Sequence, residues 1–76
     1  MIYPNPLMNG NLFIRSEELS SEADLTIYAA QGKLIYSGII KQSETIQIAK
    51  SFFNCGLYLI KVSNQGFSGT KRLVVE

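Results

Sequence analysis

Few side chains in this chain could do chemistry, and their spacing limits them further. Cys55 is the one thiol, and the chain has no His and no Trp. A Ser/His or Cys/His nucleophile pair is therefore impossible, as are an internal disulfide and a Cys/His zinc site. Glu17, Glu18, Glu22 and Asp24 form a local acidic run. Ca²⁺ needs about six or more oxygens held in a defined loop, and no such spacing occurs, so the run reads as a solvated loop. Cys55 reads as a small, half-buried residue beside a turn at Gly56, with pairing between chains as the other use of a lone thiol. No acid and base constellation remains, so the chain is expected not to be an enzyme and to hold no metal or cofactor.

What is left is chemistry of recognition. Thr70, Lys71, Arg72, Leu73, Val74 and Val75 make an apolar strand with two adjacent cations near its start. Such an edge offers unpaired N–H and C=O groups for strand addition, with Lys71 and Arg72 steering towards an acidic receptor. The competing reading is that the two cations are gatekeepers against aggregation. Tyr3, Pro4, Asn5 and Pro6 could dock a partner, or could stiffen the chain with Tyr3 packed on the rim. Gly32 and Lys33 could mark a recognition loop, or a left-handed turn residue followed by a solvated strand start. Gly56 and Tyr58, with Phe52 and Phe53, read as turn and core.

These residues need a framework. The chain has 76 residues, 46% of them hydrophobic and 17% charged, which fits a single domain over residues 1–76. The mass implies about 12,000 Å² exposed when unfolded and about 4,700 Å² when folded, so roughly 60% is buried and the core is thin. A net charge of +1 lacks the basic excess that would hold a polyphosphate backbone, so nucleic acid is not an expected partner. No apolar run reaches the ~20 residues of a membrane helix, and the first residues lack the regions of a signal peptide.

Apolar residues alternate at period two between clusters of Gly, Asn and Ser, which predicts an all-β fold. Residues 1–6 are extended because Pro4 and Pro6 restrict themselves and their predecessors. Asn9 and Gly10 start a turn and residues 12–15 form a short strand. Residues 23–29 place Leu25, Ile27 and Ala29 on one face. A tight connection at residues 30–33 lets Gly32 take φ > 0, and residues 33–41 return, with burial on both faces or a bulge near Gly38. Residues 44–49 turn Ile46 and Ile48 inward. Residues 57–62 are the most apolar strand and are expected at the centre of a sheet. A polar turn at residues 63–66 leads to the last strand, 67–75. About six or seven short strands in this length predict a two-sheet sandwich.

In this order the signals resemble a known family. Tyr3-Pro4-Asn5-Pro6, the turn and strand at residues 10–14, the hairpin at 25–36 with Gly32-Lys33, Gly56-Leu57-Tyr58-Leu59-Ile60-Lys61-Val62, and Thr70-Lys71-Arg72-Leu73-Val74-Val75 are similar to the type A C-terminal sorting domain of the type IX (Por) secretion system. The resemblance covers essentially the whole chain. It implies an immunoglobulin-like antiparallel β-sandwich at the end of a larger exported protein of Bacteroidetes-type Gram-negative bacteria. It further implies a non-catalytic export signal, in the periplasm in transit to the cell surface or medium. Its partners would be the outer-membrane translocon and a sortase-like peptidase that cuts the domain off. Met1 directly before the motif suggests a piece excised from such a protein. A fibronectin-like or carbohydrate-binding surface module is the alternative, and exposed strand edges would allow pairing between copies.

Overall fold

The computed structural model describes residues 2–15 and 22–76. The loop expected at residues 16–22, with Glu17 and Glu18, lies outside these except for Glu22, which is exposed. Among the described residues the alternating segments form seven strands: β1 (Ile2–Tyr3), β2 (Asn11–Arg15), β3 (Ala23–Ala29), β4 (Leu34–Ile40), β5 (Thr45–Ala49), β6 (Gly56–Asn64) and β7 (Phe67–Val75). A single 3₁₀ turn, Lys50–Phe52, interrupts them between β5 and β6.

The strands divide into two antiparallel sheets, ordered β1-β2-β5 and β4-β3-β6-β7. β4 pairs with β3 in antiparallel register, so the immunoglobulin-like sandwich here is three strands over four. Inward-facing residues of both sheets meet in one core. Leu12 and Ile14 come from the first sheet and Leu25, Ile27, Ile40, Ile60 and Leu73 from the second, all almost wholly buried. β6 lies between β3 and β7, the central position its apolar run predicted. The exposed area is 4854 Å², close to the expected value, so the core is as thin as the length implied.

Four local expectations are corrected. The irregularity in the β3–β4 hairpin is at Ile35, not near Gly38: Ile27 faces Tyr36 while Tyr28 faces Leu34. The extra residue swings Leu34 to the outer face beside Tyr28 and lets Ile35 pack against the core. Phe52 is not core, because the 3₁₀ turn leaves it 48% exposed while the extended Phe53 points inward. Cys55 is exposed rather than half-buried, in the short connection between the buried Phe53 and the start of β6. The last turn is also tighter than expected, with β6 running on to Asn64.

At the start of β6, Tyr58 is buried and its hydroxyl donates to the Asn54 carbonyl oxygen at 2.8 Å. This reproduces the tyrosine corner of immunoglobulin-like sandwiches, in which a Tyr near the start of the sixth strand ties down the preceding loop. Phe53 packs against it, ring centroids 5.0 Å apart.

Candidate recognition surface

Gly32 sits at φ +94, the left-handed region that favours glycine. It lets the hairpin close with two backbone bonds, Gly32 N–H to Ala29 C=O and Ala29 N–H to Lys33 C=O, both 2.8 Å. Lys33 is thereby placed at the rim of an open groove of about 360 Å³, across from Phe52, Cys55, Gly56 and Tyr58. Ala29 faces Tyr58 in the ladder, so the hairpin turn and the start of β6 are at the same end of the four-stranded sheet. Gly56, at φ +149, faces Val75, and the end of β7 is there too.

The first residues reach this end from the other sheet. Tyr3 pairs with Phe13, their rings stacked at 5.4 Å, and Tyr3 stays exposed. The chain then crosses to β7. The Asn5 carboxamide spans two backbone groups there: Nδ2 donates to the Arg72 carbonyl at 2.7 Å, and Oδ1 accepts from the Val74 N–H at 3.1 Å. Leu7, wholly buried, donates to the Val74 carbonyl and accepts from the Glu76 N–H. Pro4 and Pro6 stay exposed on either side of Asn5.

The last strand consequently differs from the expectation. Its final residues do not offer a free edge, because Arg72, Val74 and Glu76 are already bonded by Asn5 and Leu7. Nor do Lys71 and Arg72 form one patch. Lys71 stands opposite Ile60, whose side chain is in the core, and Arg72 opposite Leu59 on the outer face. Leu73 and Val75 are buried, whereas Val74 is 42% exposed.

Outside the four-stranded sheet, Leu34, Tyr28, Leu59 and Arg72 stand in one row across all four strands, with Leu57 and Val74 in the next. Leu34 and Leu57 are exposed, so this end of the sheet carries an apolar band with a cation at its β7 side. The sequence reading missed this band, although the apolar residues on both faces of β4 and β6 were its signal. It also missed Leu7, an isolated apolar residue with no periodicity to mark it. Among the described residues no group of three His, Cys, Asp or Glu could hold a metal ion. None of the helices described is long and apolar enough to cross a membrane.

The comparison with known proteins agrees with this framework. The family model described as the secretion system C-terminal sorting domain matches residues 1–76. No curated protein matches the chain. With the match spanning residues 1–76 and so covering every strand, the chain belongs to the C-terminal sorting domain family of the type IX secretion system.

Proposed function

We propose that this domain directs an attached cargo from the periplasm to the type IX outer-membrane translocon as a folded surface, and that a sortase-like peptidase then removes it. The family makes the chain a type IX sorting signal of a secreted or cell-surface protein, one that interacts with the secretion machinery. The observation that carries the finer reading is convergence. Asn5 is bonded to residues 67 and 69 positions away, and Lys33, Gly56 and Tyr58 border one groove at the same end. A signal read as a linear peptide would not need those residues assembled. A surface read on the folded domain does.

The test is a fluorescent reporter with a periplasmic signal peptide, fused ahead of residues 2–76 and expressed in a bacterium with a type IX system. The expected result is reporter in the medium or on the cell surface, lost in a strain lacking the translocon. Mass spectrometry of the exported reporter should find the domain missing. Retention of a folded fusion in the periplasm overturns the targeting reading, and export with the domain still attached overturns the cleavage step.

A further inference from the structure

β7 is a sheet edge whose two halves differ. Over the second half the chain's own first residues meet it in one parallel bridge and one side-chain clamp. Leu7 pairs with Val75, its N–H on the Val74 carbonyl at 2.7 Å and its carbonyl on the Glu76 N–H at 2.9 Å. The Asn5 carboxamide repeats that pattern around Leu73, taking the Arg72 carbonyl and the Val74 N–H as a main-chain peptide would. The second half of this edge thus already takes main-chain and main-chain-like partners. The β6–β7 register runs unbroken from Gly56 and Val75 to Asn64 and Phe67, so the N–H and C=O groups of Ser68 and Thr70 point outward as those of Val74 do. Ser68 and Thr70 are exposed, and nothing among the described residues occupies their outward groups.

We propose that residues 68–71 accept an extended segment of a secretion-machinery protein bearing two adjacent carboxylates, an inference that rests on the sorting role above. The charge argues for the acids. β6 and β7 carry Lys61, Lys71 and Arg72 and no Asp or Glu. Lys71 and Arg72 lie on opposite faces, and neighbouring residues of an added strand also alternate, so adjacent carboxylates meet one cation each. A second copy fits badly. Two β7 edges paired antiparallel about Thr70 would bring the two Lys71 side chains to a diagonal position about 7–8 Å apart with no acid between them. The other edge of this sheet, β4, is bent by its bulge at Ile35, a feature that discourages pairing.

The test is an amide-resolved NMR titration of the isotopically labelled chain with the acetylated, amidated hexapeptide Thr-Val-Asp-Glu-Val-Thr. A control peptide carries Asn-Gln in place of Asp-Glu. The Ser68 and Thr70 amides should shift and become protected from exchange while those of Val74 and Glu76 stay put, and the control should bind about tenfold more weakly. Thr70→Pro removes an outward N–H without touching the ladder to β6 and should abolish binding while keeping a dispersed spectrum. Lys71→Glu/Arg72→Glu leaves the backbone intact and should do the same, so the comparison holds even where the proline variant unfolds. Unmoved Ser68 and Thr70 amides overturn the proposal. So does concentration-dependent dimerisation in sedimentation that Thr70→Pro abolishes, since the occupant is then a second copy. In the reporter assay, export of both the parent and a folded Thr70→Pro fusion overturns this inference alone. Retention of both overturns the sorting role on which it rests.

Discussion

Asn5 does at the level of one side chain what a strand does with its backbone. A carboxamide carries one acceptor and two donors, so it can bond both the Arg72 carbonyl and the Val74 N–H, whereas a carboxylate can only accept. Asn5→Ala removes both bonds and is expected to cost about 1–3 kcal/mol, from ~1 kcal/mol net per bond. Asn5→Asp is expected to cost at least as much, because a carboxylate oxygen then faces the Arg72 carbonyl. Urea unfolding read by circular dichroism orders the variants, and an Asp variant as stable as the parent would sink the clamp. Tyr58 offers a second residue-scale check. Tyr58→Phe keeps the ring against Phe53 but loses the bond to the Asn54 carbonyl, an expected loss of about 1 kcal/mol by the same measurement. Neither contact was legible in advance. Asn5 read as part of a stiff segment, because a side chain that bonds backbone in a strand 67 residues away leaves no local pattern.

The elements themselves were largely legible, since period-two alternation is a local property. β3 matches its expected bounds, β6 takes the central place its apolar run implied, and the hairpin closes on Gly32 as a positive-φ residue. The bulge was not legible because Leu34 and Ile35 are both apolar, so nothing in the sequence says which one the core takes. Phe52 and Phe53 pose the same problem, and only the 3₁₀ turn decides it. Lys33, Gly56 and Tyr58 stood out in the sequence, but nothing there placed them on one groove, because it forms through the pairing of β3 with β6. The hairpin makes a prediction with an internal control. At Gly32 an added Cβ meets nothing within 4 Å, so Gly32→Ala should be destabilising through φ strain alone, by about 1 kcal/mol. At Gly38 the nearest atom to such a Cβ is the Tyr36 hydroxyl at 3.4 Å, with no positive φ. Gly38→Ala should therefore stay within about 0.5 kcal/mol of the parent. Thermal melts of the two variants decide it, and equal losses would mean that packing rather than turn geometry sets the hairpin.

At the scale of the molecule, the first residues and the last strand form one unit. Ile2 and Tyr3 extend the three-stranded sheet, Leu7 fills the core, and Asn5 and Leu7 close half of the β7 edge. The segment thus joins the two sheets, and the surface through which the signal is proposed to be read depends on it. A domain of this length has a total stability of roughly 4–11 kcal/mol. Truncating one fully buried Leu costs ~2–5 kcal/mol, so Leu7→Ala alone should take a large part of that reserve. Deleting residues 2–7 removes the same side chain, the Asn5 clamp and one strand, and it uncovers the N–H and C=O groups of Val74. The expected outcome is a chain with a much lower urea midpoint that associates with increasing concentration through the newly open edge. Sedimentation velocity beside circular dichroism separates the two effects. A truncated chain that stays monomeric and unfolds at the parent's midpoint would mean that the four-stranded sheet holds its edge without help, and that the first residues matter to sorting only as a contact surface.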